Sequence, residues 1–319
     1  MNTRISKEQG PTAMIVGCGY LGTRLAQQLI TQGSTVFGTT RSEHKAKQLA
    51  SLGIRPLLLS VTQPLTYASL SLALSANDLD VYYMIPPGRL DGSPSTRQTI
   101  LGGTAHTIKA LKQANVRRAI YISSTAVYGQ TESQPVSADT PAQPHSERAG
   151  LMLQGEQLWL DAGDPYHVLR LAGLYGPGRI IGLKAVREQA PLIGDPNALL
   201  NLIHVDDAVS LLLAITQSQT AGRIELGSDG QPTPRIDYYT HLAERLNVPS
   251  PVPMDSQMAA IQLGLDPKRL ARSSSKALDN RPTQTRTGWQ PRYTDYRAGL
   301  DALFNPDTPT GPEPSRRTC

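Results

Sequence analysis

The chain has 319 residues, which is longer than one ordinary domain. Its composition, 39% hydrophobic and 18% charged, is typical of a globular protein with a hydrophobic core. No apolar run approaches the roughly 18 residues of a membrane helix, and the first twelve residues contain no signal-peptide core. Only two cysteines, Cys18 and Cys319, are present, which argues against a disulfide scaffold. We therefore expect a cytoplasmic protein without a membrane partner.

The net charge of +5 is concentrated in one stretch, residues 266–297, which contains eight basic and three acidic residues. Such a surface could meet nucleic acid or the phosphates of a small ligand. The stretch lacks zinc-ligand spacing, a recognition-helix signal and an aromatic RNA-binding motif, so we expect no nucleic-acid partner. The six histidines are scattered, and the sequence predicts no metal site.

Strand and helix patterns alternate through the first half of the chain. Strands are predicted at TAMIV (12–16), STVFGTTR (34–41), IRPLLLSV (54–61), DLDVYYMI (78–85), RRAIYISST (117–125) and YHVLRLAG (166–173), and helices at 20–33, 42–53, 96–115 and 146–162. Apolar strands separated by helices are typical of a parallel sheet with right-handed crossovers. The predicted fold class is therefore α/β, with a doubly wound parallel sheet and a smaller C-terminal lobe.

After Tyr175 the alternation breaks and Gly and Pro cluster. The predicted division is a flexible tail at 1–12, a first domain at 13–175, a substrate lobe mainly at 176–305 and a disordered tail at 306–319, with a segment of about 202–228 returning to the first domain.

The residues GCGYLG at 17–22 fit the pattern Gly-x-Gly-x-x-Gly between a predicted strand and a predicted helix. Gly17 permits a tight turn, Gly19 lets the backbone approach a pyrophosphate, and Gly22 lets the helix pack closely on the strand. The helix N-terminus favours the phosphates. The predicted dinucleotide site comprises Gly17, Gly19, Tyr20, Leu21 and Gly22, with Ile85 and Pro86 at the end of the fourth strand and Ser123 in the fifth.

The end of the second strand indicates which dinucleotide is bound. An NAD-selective site has Asp or Glu there to hold the ribose hydroxyl, whereas this chain has Thr40, Arg41 and Ser42. A guanidinium can pair with the 2′-phosphate of NADP. NADP is therefore the predicted cofactor, and these three residues are predicted to bind it. In the alternative, Arg41 is a surface residue and Glu43 reaches the ribose of NAD.

Three later motifs are YISSTAVYG (121–129), HVLRLAGLYGPGR (167–179) and NLIHVDDAV (201–209). In this order with GCGYLG they resemble the extended short-chain dehydrogenase/reductase family, of the NAD-dependent epimerase/dehydratase type, over about residues 13–304. The resemblance implies an NAD(P)-binding Rossmann fold and hydride transfer between a nicotinamide and a carbinol carbon.

The resemblance also implies a Tyr that transfers a proton, a Lys four residues later, and a Ser or Thr that binds the substrate oxygen. Ser124 matches the Ser/Thr position. In the family a Glu recurs after the Tyr and Lys on the same helix, and Glu156 matches it. Counting back from Glu156 places the expected Lys at Met152 and the expected Tyr at Arg148. Neither an arginine nor a methionine can shuttle a proton at ordinary pH. The chain therefore resembles an atypical member without the usual pair.

Substitutes for that pair are predicted among Ser124, Tyr128 and Tyr175, with His145 as a weaker candidate. The two tyrosines lie beside glycines in loops at the carboxyl ends of predicted strands, where ligands bind in open α/β sheets, although packing would explain them as well. Arg148 could clamp an anionic substrate group instead.

Two functions follow from these residues. The first is an oxidoreductase or epimerase-like enzyme acting on a nucleotide sugar or another small carbonyl or hydroxyl compound. The alternative is a non-catalytic, NADP-binding regulatory protein, which would explain directly why the acid/base pair is missing. A scaffold role has the least support, and a homodimer is left open.

Overall fold

The computed structural model of the protein describes residues 10–86, 95–129, 135–264, 266 and 275–305. Almost all of the predicted flexible tail at 1–12 and the whole predicted disordered tail at 306–319 lie outside the described residues.

The strands are β1 (Thr12–Val16), β2 (Thr35–Thr40), β3 (Arg55–Leu58), β4 (Leu79–Tyr83), β5 (Val116–Ser124), β6 (Pro135–Val136), β7 (Tyr166–Leu171), β8 (Gly173–Tyr175), β9 (Leu192–Ile193), β10 (Leu199–Leu200), β11 (Leu202–His204), β12 (Ile224–Gly227), β13 (Thr233–Pro234), β14 (Pro253–Met254) and β15 (Ala277–Leu278). The α-helices are α1 (Tyr20–Thr31), α2 (Glu43–Ser51), α3 (Ser71–Leu74), α4 (Gly103–Leu111), α5 (Glu147–Leu160), α6 (Leu183–Arg187), α7 (Val205–Gln217), α8 (Arg235–Leu246), α9 (Ser256–Leu263), α10 (Arg281–Thr287) and α11 (Tyr296–Phe304). One π-helical turn at Gln98–Gly102 leads into α4, and 3-10 turns lie at Pro64–Leu70 and Thr125–Val127.

Seven strands form the central sheet in the order β12-β7-β5-β4-β1-β2-β3. The pairs β1–β2, β1–β4, β2–β3 and β4–β5 are all parallel. The order reverses between β1 and β4, and open α/β sheets bind ligands outside the carboxyl ends of the strands at such a switch point. The predicted doubly wound α/β fold is confirmed.

The sheet forms where the sequence has apolar runs, because strands that are covered on both faces must be apolar throughout. Every residue of β4 is buried, and so are four of the five in β1. On one side of the sheet, Trp159 of α5 packs against the rings of Tyr83, Tyr121 and Tyr166. This aromatic cluster fixes α5 against β4, β5 and β7.

The chain divides into two compact units. Unit 1 comprises residues 1–127, 144–170 and 215–225, and unit 2 comprises the remaining segments. Residues 128–143 belong to unit 2, although the predicted first domain included them, and the segment returning to unit 1 is shorter than the predicted 202–228. That unit 2 is a substrate lobe stays a prediction.

Unit 2 has its own apolar core, in which Tyr238 and Leu242 of α8 pack with Tyr296 and Leu300 of α11. Its short strands form two-stranded pairs with each other, as β8 with β11 and β6 with β15. None of the helices in the described ranges combines the length and the apolar character that crossing a bilayer requires.

Candidate functional site

The glycine-rich turn between β1 and α1 has the shape that its three glycines predict. Gly17 has a φ of +88°, and a Cβ there would lie 2.8 Å from Ile85 Cδ1 and 3.0 Å from the carbonyl oxygen of Met84. A Cβ on Gly22 would lie 2.9 Å from Ile15 Cγ2. Gly19 differs, because it is exposed and a Cβ there would meet nothing closer than 3.9 Å. Two glycines are therefore required by packing, and the third leaves open space above the turn.

The open space lies at the N-terminus of α1, whose first-turn N–H groups have no partner within the helix. Gly19 is the N-cap and provides no capping side chain, and the first turn contains no acidic residue. Tyr20 is half-buried, with the Arg24 guanidinium 4.1 Å from its ring centre, and Leu21 is buried. This arrangement suits an anion that accepts hydrogen bonds from the backbone.

Thr39 near the end of β2 anchors the glycine turn. Its hydroxyl accepts a hydrogen bond of 2.9 Å from the N–H of Gly17, and its carbonyl accepts one from the N–H of Cys18. Burial raises the pKa of the Cys18 thiol to about 11, so this cysteine is an apolar filler rather than a nucleophile. The anchoring role of Thr39 was not predicted, because the two partners lie 22 residues apart.

Beyond Thr39 the predicted phosphate-binding residues occupy the surface. Arg41 and Ser42 are exposed, and Thr40 is half-buried. Ser42 caps α2 by accepting a 3.3 Å hydrogen bond from the N–H of Lys45. The Lys45 ammonium lies close enough to Cys18 to lower the pKa of its thiol against the effect of burial. Lys45 is therefore a second cation near the glycine turn, and the sequence prediction did not include it.

The ends of β4 and β5 lie on the same edge of the sheet. Ile85 is half-buried against Gly17, and Pro86 is exposed. In β5, Ser123 is buried and its hydroxyl donates to Glu156 of α5. The hydroxyl hydrogen of Ser123 is therefore held by Glu156 and is not available to a cofactor. Ser124 is half-buried, and its Oγ accepts a 3.2 Å hydrogen bond from the N–H of Ala126. Its O–H hydrogen can still be donated to a ligand.

Helix α5 is where the resemblance placed the proton donor. Arg148 is exposed in its first turn, while Met152, one turn later, is buried. Ser146 caps the helix by accepting from the N–H of Ala149, and His145 just before it is exposed. The helix thus presents a guanidinium at the position where a phenol was expected.

Tyr128 and Tyr175 belong to unit 2, and neither has any exposed surface. The Tyr128 hydroxyl donates to the carbonyl of Ser137 over 2.9 Å. The Tyr175 hydroxyl packs on Gly299 and has no hydrogen-bond partner among the described residues, and burial together with nearby Asp229 raises its pKa. Packing, the alternative for these two tyrosines, is what the structure supports.

Other polar residues that the motifs contain also have structural contacts in unit 2. Asp207 accepts hydrogen bonds from the N–H groups of Arg292 and Tyr293, at 2.8 and 3.0 Å, and so ties the approach to α11 onto α7. Tyr293 in turn packs against His204, with ring centres 4.2 Å apart and the ring planes tilted by 51°.

In the basic stretch, each described cation has an internal contact. Arg281 pairs with Asp279 and Arg286 pairs with Asp139. Arg292 and Arg297 lie over tyrosine rings, and Lys276 is buried. Lys268, Arg269 and Arg272 lie outside the described residues.

The model of the NAD dependent epimerase/dehydratase family matches residues 13–227, which span the glycine turn, the strands β1 and β4 on either side of the switch point, and helix α5. The chain belongs to this family. The family match covers the glycine motif and all three later motifs, YISSTAVYG, HVLRLAGLYGPGR and NLIHVDDAV. The predicted resemblance is confirmed.

Two curated relatives are similar to this chain. Protein YeeZ of Escherichia coli (strain K12) is 28% identical over 240 residues, which cover 74% of this chain and 84% of YeeZ. A 3-diazoavenalumate denitrifying reductase from a Streptomyces species is 27% identical over 210 residues, covering 62% of this chain and 68% of the reductase.

Among solved structures, a conserved protein of unknown function from Silicibacter pomeroyi DSS is similar with a TM-score of 0.74 and 28% identity. The similarity covers 92% of this chain and 98% of that one. Family membership and the open glycine cradle make this chain an NAD(P)-binding protein of the oxidoreductase or epimerase type, as the sequence predicts.

Proposed function

We propose that the protein is an NADP-dependent oxidoreductase that transfers hydride between the nicotinamide and a small carbonyl or hydroxyl compound. The observation that carries this proposal is the pairing of an open, uncapped glycine turn with two cations, Arg41 directly after β2 and Lys45 in the first turn of α2. The turn suits the pyrophosphate, and the cations suit the additional 2′-phosphate. The Streptomyces relative, named as a reductase, supports the type of reaction.

The bound nicotinamide would supply hydride to a carbonyl carbon or accept it from a carbinol carbon, and the residues of this chain would orient the substrate. The proton that the substrate oxygen gains or loses would be exchanged with solvent water. In this proposal the Ser124 hydroxyl donates a hydrogen bond to the substrate oxygen. Arg148 holds an anionic group of the substrate without transferring a proton, since a guanidinium stays charged. Tyr128 and Tyr175 have no part in the proposal because both are fully buried.

The cofactor assignment is tested by titrating the protein with NADPH and NADH and following the fluorescence of the reduced nicotinamide. For Arg41→Ala we expect NADPH to bind about 10- to 100-fold more weakly, as for the loss of one charged hydrogen bond, and NADH affinity to stay unchanged. Lys47→Ala is the matched control, because Lys47 is an exposed cation on α2. Equal NADPH affinity in the Arg41→Ala variant and the wild type would remove the 2′-phosphate assignment.

The enzymatic part is tested by turnover of NADPH with a panel of small aldehydes, ketones and nucleotide sugars. Oxidation of NADPH with any member supports the proposal, and Arg148→Ala should then raise KM for anionic substrates more than for neutral ones. Tight NADPH binding without turnover across the panel would favour the regulatory alternative.

A further inference from the structure

A buried network of charged side chains contacts Ser123 at the end of β5. Glu156 of α5 is 1% exposed, and Arg170 at the end of β7 is 3% exposed. Their side chains form an ion pair in which Arg170 Nη2 lies 2.6 Å and Nε 3.1 Å from Glu156 Oε2, with Nε also 3.3 Å from Oε1. The Ser123 hydroxyl donates to the same carboxylate. One carboxylate thus connects β5, β7 and α5.

Stability alone is a poor explanation for this network. Moving two charges out of water carries a desolvation penalty, and replacing a buried pair with apolar residues is often neutral or stabilising. What a buried pair can supply is a fixed geometry, because the donors and acceptors are satisfied in one arrangement only. The bidentate contact of Arg170 with Glu156 is of this kind.

The geometry that the network fixes is that of the proposed substrate-binding residue. Successive side chains of a strand point to opposite faces. Since Ser123 points inward to Glu156, Ser124 points away from it, and Ser124 is half-exposed where Ser123 is buried. Glu156 also lies one and two helical turns after Met152 and Arg148, along one stripe of α5. A displaced Glu156 would therefore displace both Ser124 and the first turns of α5.

We propose that Glu156, oriented by Arg170 and bonded to Ser123, is a positioning residue that holds the end of β5 and helix α5 in place for the nicotinamide half of the cofactor. This inference rests on the proposed function. The adenosine half would contact the glycine turn and the end of β2, on the other side of the switch point between β1 and β4. The network should therefore affect one half of the cofactor and spare the other.

The test compares two ligands in the full-length protein by calorimetry. NADPH has both halves, whereas 2′,5′-ADP has only the adenosine half and its phosphates. For Ser123→Ala, which leaves the Glu156–Arg170 pair intact, we expect NADPH to bind at least fivefold more weakly and 2′,5′-ADP to bind within twofold of the wild type. Glu156→Gln should give the same pattern with a larger loss of NADPH affinity.

Tyr82→Phe is the matched control. The Tyr82 hydroxyl is buried in β4 and makes a 2.9 Å hydrogen bond with Thr216, so its removal also costs one buried hydrogen bond of unit 1. We expect Tyr82→Phe to lower the melting temperature as Ser123→Ala does, without changing the ratio of the two affinities.

The outcomes separate the inference from the function on which it rests. If Ser123→Ala weakens both ligands equally, or neither, the network only supports the fold and the inference is overturned. If Glu156→Gln does not fold, Ser123→Ala decides alone. Should the wild type bind NADH and ADP in place of NADPH and 2′,5′-ADP, the same comparison is made with that pair. A wild type that binds no nicotinamide cofactor would overturn the proposed function and the inference together.

Discussion

Replacing Gly17 with alanine should destabilise unit 1 by about 1–5 kcal/mol. A left-handed backbone costs a residue with a Cβ about 1–2 kcal/mol, and Gly17 has a φ of +88°. The new Cβ would also overlap the carbonyl of Met84 at 3.0 Å and the side chain of Ile85 at 2.8 Å, and overpacking of this kind costs about 1–3 kcal/mol. The lower entropy of the unfolded alanine chain offsets about 0.4–1 kcal/mol of the sum.

Gly33→Ala separates the two contributions. Gly33 has the same φ of +88°, but a Cβ there would meet nothing within 4 Å. We therefore expect this variant to lose only about 1 kcal/mol, and the difference between the two variants to report the contact with Met84 and Ile85.

The measurement is urea unfolding followed by tryptophan fluorescence. The chain has two tryptophans, Trp159 in unit 1 and Trp289 in unit 2. A Trp289→Phe background makes Trp159 the sole reporter of unit 1. At an m-value of about 1–3 kcal/mol per molar urea, a difference of 1–3 kcal/mol moves the midpoint by on the order of 1 M. If Gly17→Ala loses no more stability than Gly33→Ala, the tight approach of Met84 to the glycine turn is refuted.

Of three further predictions, two concern the pH dependence of stability and the third concerns the anchoring contact of Asp207. The His167 ring donates from Nδ1 to the Gly222 carbonyl and accepts at Nε2 from Arg118, and burial lowers its pKa. Because the unfolded chain then binds the proton more readily, unit 1 should lose stability as the pH falls below about 6.5. The urea midpoint of the His167→Phe variant should vary less with pH than that of the wild type. Burial, with Asp295 and Asp207 nearby, raises the pKa of Asp229 to about 7. Because the folded state holds this proton more tightly than the unfolded chain, unit 2 should lose stability as the pH rises through 7. A urea midpoint, followed by Trp289 fluorescence, that stayed constant between pH 5 and 8 would contradict this. Asp207→Ala removes the acceptor for two backbone N–H groups and should cost about 1–3 kcal/mol, with faster hydrogen exchange of the amides of residues 292 and 293.

The local parts of the fold and site could be predicted from the sequence. The run TAMIV gives β1 with the predicted bounds, and Gly17 and Gly22 have the turn and packing roles that their spacing indicates. These features depend on neighbouring residues, because hydrophobic periodicity and a required positive φ are properties of a few consecutive positions.

Contacts between distant residues could not be predicted in this way. Thr39 supports Gly17 across 22 residues, and Glu156 meets Arg170 across 14. Nothing in the sequence around a threonine or a glutamate states which partner the fold will bring to it. The same limit applies to Tyr128 and Tyr175, since their glycine-rich neighbours indicate a loop at a strand end without indicating how deeply the ring is buried.

The discontinuous composition of unit 1 has a consequence for the nascent chain. Its segments end at residues 127, 170 and 225, so the last one follows the first by nearly a hundred positions. A ribosome adding roughly 5–20 residues per second needs on the order of 5–20 s to supply it after the first segment is complete. During part of that interval one edge of β5 has no neighbouring strand, because β7 is its partner on that side. An unpaired strand edge invites aggregation, so synthesis of this protein exposes a segment that chaperones would be expected to shield.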